Sequence, residues 1–227
     1  MDRQALAFES ARNFMVDSQV RPNKVNDPRI IGAMRRLPRE RFVPPQRQAL
    51  AYADTPVPLG NGRALLEPMV IARLVQLAAV RDGDRVLVVG AGSGYGAALL
   101  AACGGTVTAL EEDPALISLA PAALSGVTGI TLVTGPLAEG WQANAPYDAI
   151  LVEGAAEEFP PALVAQLRPA TAGRAAGRLV AVRAGGAGTV GQAVLGEATP
   201  AGLVLRPAFD CAAPVLAALR RQPGFVF

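Results

Sequence analysis

A glycine-rich segment at residues 90–95 has the residue types of a nucleotide-binding turn. The apolar run Val86-Leu87-Val88-Val89 leads directly into Gly90-Ala91-Gly92-Ser93-Gly94-Tyr95. Glycines at a strand-to-helix turn let a ligand approach the backbone closely, and the start of the helix presents free N–H groups. The dinucleotide-binding pattern G-x-G-x-x-G, counted from Gly90, requires a small residue at position 95, where the chain has Tyr95. Counted from Gly92, the pattern would begin two residues later than the first glycine after the strand. The spacing therefore favours S-adenosylmethionine, with Gly90, Ala91, Gly92 and Gly94 as candidate cofactor-binding residues.

Carboxylates follow two other predicted strands. Glu111 comes about twenty residues after the glycine turn, where a carboxylate can accept hydrogen bonds from both hydroxyls of a ribose. Glu112 and Asp113 precede a predicted helix, and at least one of them is expected to be a helix N-terminal charge. Glu153 follows the predicted strand at 148–152. Two interpretations of Glu153 stay open: it faces the cofactor cleft, or it is a solvated carboxylate at a strand end.

The composition excludes several classes of function. The chain of 227 residues contains no histidine, which removes histidine-based triads, HExxH zinc sites and the commonest general base. Its two cysteines, Cys103 and Cys211, are far apart, so neither a disulfide nor a metal site is predicted. The arginines of the N-terminal region are scattered and nearly free of aromatic neighbours, which does not favour a nucleic-acid partner. No apolar run approaches the roughly 18 residues of a membrane span, so we expect a cytoplasmic protein without a membrane partner.

Alternating strands and helices predict an α/β fold. Strands are predicted at residues 85–89, 106–110, 130–134, 148–152, 179–183, 190–195 and 204–209. Helices are predicted at residues 4–17, 27–37, 69–79, 96–103, 114–123 and 160–167, and residues 42–68 are predicted to be an irregular, proline- and glycine-rich connection. The pattern indicates a Rossmann-like fold, with a mostly parallel twisted sheet and helices on both faces. We expect one compact domain, in which residues 1–68 form a helical N-terminal elaboration of a core at 69–227.

Several short motifs, spread over nearly the whole chain, occur together in one known family. The most specific are Pro38-Arg39-Glu40-Arg41-Phe42-Val43-Pro44 and Ala51-Tyr52-Ala53-Asp54. With them occur the glycine turn, Leu110-Glu111, Gly140-Trp141, Ala145-Pro146-Tyr147-Asp148 and Pro161-Ala162-Leu163. In these motifs the chain resembles the protein-L-isoaspartate O-methyltransferases. The resemblance implies methyl transfer from S-adenosylmethionine to the free carboxyl of an isoaspartyl residue in a damaged protein or peptide. Because that carboxylate is ionised at pH 7, the reaction needs positioning and desolvation rather than a histidine.

Three segments depart from the pattern of that family, and the C-terminal stretch at residues 209–227 is one of them. Its acceptor motif has the form T-I-S-x-P, and the chain has Ala64-Leu65-Leu66-Glu67-Pro68 in its place. Glu67 puts a negative charge beside a site for a carboxylate, so weak or absent isoaspartyl methylation is predicted, with Leu66→Ser plus Glu67→Ala raising it. The family's Gly-Asp-Gly, whose acid helps to hold the adenine side, resembles Gly135-Pro136-Leu137 here, so Pro136 and Leu137 are candidate cofactor residues.

Alternatives to this function stay open at the level of the sequence. One alternative is a methyltransferase for a different acceptor. The other is a non-catalytic relative that binds S-adenosylmethionine or a partner. The oligomeric state has no signal in the sequence.

Overall fold

The computed structural model describes residues 3–186, 189–199 and 202–221, and its N-terminal part is helical. Helix α1 spans Arg3–Met15 and continues into a π-helical segment, Val16–Val20. Helix α2 spans Pro28–Arg36. Asp27 caps α2, since its carboxylate accepts a hydrogen bond from Arg29 N at 2.9 Å. Both predicted N-terminal helices are therefore present.

A β-hairpin occupies part of the segment that the sequence predicted to be irregular. Strands β1 (Val57–Gly60) and β2 (Arg63–Leu65) pair in antiparallel orientation. Their turn is Asn61-Gly62, with φ of +48° and +72°, the left-handed conformations that tight hairpin turns require. The prediction of an irregular connection over 42–68 is wrong here, because the surrounding prolines and glycines obscured an Asn-Gly hairpin signal.

Seven strands form the central sheet, in the order β5-β4-β3-β6-β7-β8-β9. Their bounds are β3 Arg85–Val89, β4 Thr106–Glu111, β5 Ile130–Thr134, β6 Ala149–Ala156, β7 Arg178–Arg183, β8 Gln192–Thr199 and β9 Gly202–Asp210. The strands from β5 to β7 pair in parallel, and β8 and β9 extend the sheet in antiparallel orientation. The predicted Rossmann-like, mostly parallel sheet is confirmed. Strand β6 runs four residues further than predicted, because the charged Glu153 was interpreted as lying beyond its end.

The remaining helices connect the strands. Their bounds are α3 Pro68–Ala78, α4 Tyr95–Ala102, α5 Pro114–Ala123 and α6 Pro161–Val164. Asp113 caps α5 through a 2.9 Å hydrogen bond from Ala115 N, as expected for an acid in this place. Helix α6 is shorter than the predicted 160–167, because Leu167 instead forms a parallel bridge with Tyr147. Within the described part of the chain, no helix has the length and apolar character needed to cross a membrane.

Two hydrophobic clusters pack against opposite faces of the sheet. Alternate residues of β3 point into different clusters: Val86 and Val88 belong to the first, Leu87 and Val89 to the second. Burial on both faces is typical of a parallel sheet covered by helices. The first cluster also includes residues of α1, α2, α3 and α4. The N-terminal helices therefore share a core with the sheet.

The strand order reverses at β3, which lies between β4 and β6. Open α/β sheets bind ligands at such a switch point, outside the carboxyl ends of the strands. Val89 at the end of β3 pairs with Leu110 on one side and with Val152 on the other. The residues that follow these three, at 90, 111 and 153, therefore lie next to one another at the edge where a ligand is expected.

Candidate active site

The glycine turn after β3 has backbone conformations that favour glycine. Gly90, Gly92 and Gly94 have φ of +74°, +58° and +96°. The space at Gly90 is closed as well, since a Cβ atom there would lie 2.9 Å from Arg63 Nη2 and 3.0 Å from Leu216 Cδ1. Gly94 directly precedes α4, so the turn leads into a helix N-terminus. Ala91, between the glycines, is buried. The predicted cofactor turn thus has the expected backbone conformations, but the side chains of Arg63 and Leu216 occupy the space beside Gly90, and the turn is not part of the lining of the adjacent cavity.

Glu111 lies against this turn at the end of β4. Its carboxylate accepts hydrogen bonds from Gly92 N at 2.7 Å, from Glu112 N at 2.9 Å and from Asp113 N at 3.0 Å. Arg63 Nη1 from the hairpin donates a fourth hydrogen bond at 2.8 Å, and the Glu111 side chain is only 3% exposed. Such charge-assisted bonds fix the carboxylate in one orientation. The structure brings Glu111 and the glycine turn together, and it adds Arg63, which the sequence analysis did not identify.

A cavity of about 370 Å³ opens beside Glu111. Its lining consists of Asn61, Gly62, Arg63, Glu112, Asp113, Leu137, Pro214, Val215, Leu216, Ala217 and Arg220. The hairpin closes one side, because Asn61 Nδ2 donates a 2.8 Å hydrogen bond to Asp113 Oδ2. Leu137 belongs to the wall, and its N–H donates to Glu112 Oε2 at 3.3 Å. Pro136 precedes the short 3-10 segment Leu137–Glu139 and is not among the lining residues.

Glu153 is buried behind the glycine turn, in contact with Gly96 of α4. At 5% exposure it is not a solvated strand-end carboxylate, so that interpretation is wrong. Burial raises the pKa of Glu153 to about 8, against the opposing influence of Arg63 and Arg39. At pH 7 its carboxyl group therefore carries a proton. Glu153 is not among the residues that line the cavity, so it supports the turn from within the protein.

The segment 65–68, in the place of the family's acceptor motif, is the junction of the hairpin and α3. Leu65 ends β2, and Pro68 begins α3. The side chains of Leu65 and Leu66 are 2% and 1% exposed and pack in the first hydrophobic cluster. Glu67 is partly exposed, and burial together with the charge of Asp54 raises its pKa. Of the four candidate acceptor residues, only Glu67 is a polar side chain near the surface.

Arg39 and Phe42 join the N-terminal segment to the glycine turn. Arg39 is fully buried and donates a 2.5 Å hydrogen bond to Leu66 O. Its guanidinium lies 4.8 Å from the centroid of the Tyr95 ring, a cation–π contact with the residue that follows the last glycine. Phe42 O accepts a 2.6 Å hydrogen bond from Ser93 Oγ. The segment at residues 38–44 therefore connects the acceptor segment to the glycine turn. Its amino-acid sequence alone did not indicate this role.

Fold and site together define a class of protein. A mostly parallel sheet, a glycine turn after β3, a buried acid at the end of β4 and a cavity at the switch point are the combination of Rossmann-like proteins that bind a nucleoside-containing cofactor. Comparison with known proteins gives the family within this class. The sequence model of the protein-L-isoaspartate(D-aspartate) O-methyltransferase family matches residues 10–181, and the chain belongs to this family.

Individual relatives agree with this assignment. The protein named protein-L-isoaspartate O-methyltransferase 1 of Rhodopseudomonas palustris (strain HaA2) is 40% identical over 165 residues, which is 72% of this chain and 67% of that protein. A solved structure named protein-L-isoaspartate O-methyltransferase superposes with a TM-score of 0.75 at 21% identity, over 93% of this chain and 67% of that one. A second, from Plasmodium falciparum in complex with S-adenosyl-L-homocysteine, gives 0.71 at 19% identity, over 91% and 98%. The two structures support the fold.

Proposed function

We propose that the chain transfers the methyl group of S-adenosylmethionine to the free carboxyl of isoaspartyl residues in proteins or peptides. The observation that carries the proposal is the buried carboxylate of Glu111, held 2.7 Å from Gly92 N at the switch point. A carboxylate beside a glycine turn suits the hydroxyls of a ribose. The acceptor follows from the family, whose Rhodopseudomonas palustris member is named for isoaspartate methylation.

The residues of the cleft fit the cofactor chemically. The side chains of Arg63 and Leu216 cover Gly90 of the glycine turn, and Glu111 can accept hydrogen bonds from hydroxyl groups in the place of the Arg63 guanidinium. Leu137 supplies an apolar wall for a base, while Glu112 and Asp113 add negative charge beside a ligand that carries a sulfonium. When bound, the cofactor supplies an electrophilic methyl group. The Plasmodium falciparum structure of the same fold contains S-adenosyl-L-homocysteine, which supports this assignment.

The chemistry requires no general base from the protein. An isoaspartyl carboxylate is already ionised at pH 7, so its oxygen can attack the methyl group directly. The chain therefore contributes by orienting the two reactants and keeping water out. This agrees with a sequence that has no histidine.

A different methyl acceptor is the second candidate. The observation in its favour is the apolar, buried pair Leu65 and Leu66 at the place of the family's serine motif, followed by the acidic Glu67. None of these side chains offers a hydroxyl or a positive charge to an acceptor carboxylate.

We also propose a cytoplasmic location and a single domain in which residues 1–68 elaborate the core at 69–227. Cys103 and Cys211 are both free and buried, which supports a reducing compartment. The shared hydrophobic cluster of the N-terminal helices and the sheet supports the single domain.

Methyl transfer to a defined peptide tests the proposed function. The full chain is incubated with methyl-labelled S-adenosylmethionine and either an isoaspartyl peptide or the same sequence with ordinary aspartate. We expect a base-labile methyl ester on the isoaspartyl peptide only, formed slowly because the charge of Glu67 lies at the acceptor segment. Label on neither peptide, although S-adenosyl-L-homocysteine binds, would contradict the acceptor, and label on another molecule of a cell extract would favour the second candidate.

Replacing Glu67 is expected to accelerate the reaction. Glu67→Gln removes a negative charge near an anionic acceptor, which at an effective dielectric constant of about 20 is worth on the order of 1 kcal/mol, or roughly fivefold in kcat/KM. The measurement is the initial rate on the isoaspartyl peptide at low and high salt. An unchanged rate at both salt concentrations would show that Glu67 is remote from the acceptor. The structure argues against combining this change with Leu66→Ser, because removing the buried Leu66 side chain would cost about 2 to 5 kcal/mol of stability.

A further inference from the structure

Arg63 lies across the cleft in the place where a ligand of the glycine turn is expected. It is the first residue of β2, and its side chain is 10% exposed. Arg63 Nη1 donates to Glu111 Oε1 at 2.8 Å, and Arg63 Nη2 donates to Gly90 O at 2.6 Å. One guanidinium thus spans the first glycine of the turn and the acid assigned to the ribose. A ligand that contacts both groups has to displace it.

Glu111 does not depend on Arg63 for its hydrogen bonds. Three backbone N–H groups, those of Gly92, Glu112 and Asp113, donate to the same carboxylate. If Arg63 leaves, Glu111 keeps these donors, and hydroxyl groups of a ligand can replace the guanidinium. The loss of the contact with Arg63 therefore leaves Glu111 with hydrogen-bond donors, unlike a buried ion pair whose members have no other partners.

A released Arg63 supplies the positive charge that the acceptor segment lacks. The cavity lining among the described residues contains two cations, Arg63 and Arg220, and Arg63 is on the strand that leads directly into the acceptor segment 65–68. In S-adenosylmethionine the sulfonium is joined to the ribose through a single carbon atom. The ribose and the sulfonium therefore separate the acceptor oxygen from the ribose-binding acid, a distance that the long side chain of Arg63 can cover by moving away from Glu111. The planar guanidinium matches a carboxylate in two parallel hydrogen bonds.

We propose that Arg63 binds the carboxylate of the methyl acceptor, and that the empty enzyme holds it on Glu111 until the cofactor's ribose takes its place. This inference rests on the proposed function, since it assumes a cofactor with a ribose and an acceptor with a carboxylate. It assigns to one residue two opposite effects: Arg63 competes with the cofactor and favours the acceptor. Cofactor binding then precedes acceptor binding.

The variants Arg63→Gln and Arg63→Lys separate these effects. Calorimetric titration with S-adenosyl-L-homocysteine measures the first, and we expect Arg63→Gln to bind it about threefold to tenfold more tightly, because a larger fraction of the protein has an open site. The KM for the isoaspartyl peptide at saturating S-adenosylmethionine measures the second. We expect it to rise about tenfold or more in Arg63→Gln, with a smaller change in kcat and partial recovery in Arg63→Lys.

Arg206→Gln is the matched control, because the exposed Arg206 of β9 pairs with Glu197 of β8 at the far edge of the sheet from the cleft. It should leave both measurements unchanged. Weaker or equal binding of S-adenosyl-L-homocysteine by Arg63→Gln would overturn the inference, and so would an unchanged peptide KM. If neither the natural chain nor Arg63→Gln binds S-adenosyl-L-homocysteine, the proposed function itself is wrong. Binding by Arg63→Gln alone would support competition by Arg63 directly.

Discussion

Glu111→Gln is expected to weaken the binding of S-adenosyl-L-homocysteine by about tenfold or more. The substitution keeps the shape of the side chain, but it removes the negative charge and replaces one acceptor oxygen by an NH2 group, which cannot accept a hydrogen bond from a hydroxyl or a backbone N–H. Hydrogen bonds to a charged partner contribute about 1.5 to 3 kcal/mol, and each 1.4 kcal/mol is a factor of ten in the dissociation constant. Isothermal titration calorimetry on the full chain measures the effect.

Glu112→Gln is the matched control for this experiment. Glu112 lines the same cavity and is the next residue in the chain. Its carboxylate accepts a hydrogen bond from Leu137 N, whereas that of Glu111 accepts one from Gly92 N in the glycine turn. We expect a smaller loss of affinity in Glu112→Gln, caused by the reduced negative charge of the cleft and by a weaker hydrogen bond from Leu137 N. An equal loss in both variants, or no loss in Glu111→Gln, would remove the specific role of Glu111.

Glu153→Gln is expected to stabilise the protein at alkaline pH. Burial raises the pKa of Glu153 in the folded protein to about 8 from an ordinary value of 4.5. Between these two values the unfolded chain has lost the proton that the native protein retains, so unfolding releases a proton and stability falls as the pH rises. Above about pH 8 the loss of stability caused by Glu153 is complete. At 1.36 kcal/mol per pKa unit, this loss is on the order of 3 to 5 kcal/mol.

The difference in the free energy of unfolding between the natural chain and Glu153→Gln isolates the contribution of the Glu153 carboxyl group. Urea unfolding at pH values from 4.5 to 9 should show equal stability at the acidic end and a growing advantage of Glu153→Gln toward pH 9. Glu197→Gln, at a half-buried glutamate of β8 that pairs with Arg206, is the matched control and should not show the growing advantage toward pH 9. Parallel curves for Glu153→Gln would contradict a buried, protonated Glu153.

The sheet could be predicted from the sequence because its signals are local. Strands β3 and β5 have the predicted bounds, since each is a short apolar or β-branched run between turn residues. The neighbourhood of the glycine turn and Glu111 was also predictable, because the carboxyl ends of consecutive parallel strands meet at one edge. The capping role of Asp113 follows from its place directly before Pro114.

Other features depend on contacts between distant parts of the chain. Arg63 reaches Glu111 across 48 residues, and Arg39 reaches Leu66 across 27, so no spacing rule connects either pair. The burial of Glu153 follows from the extension of β6 and the closeness of α4, neither of which its neighbours in sequence indicate. The inward direction of Leu66 likewise follows from the hairpin, which the sequence analysis missed.

A crystal structure of the full chain with S-adenosyl-L-homocysteine would show whether the ribose of the ligand replaces Arg63 on Glu111. We predict that the ligand lies along the glycine turn, that its ribose hydroxyls donate to the carboxylate of Glu111, and that Arg63 has left both Glu111 and Gly90. A ligand bound elsewhere, or one bound while Arg63 keeps its hydrogen bonds to Glu111 and Gly90, would contradict the account.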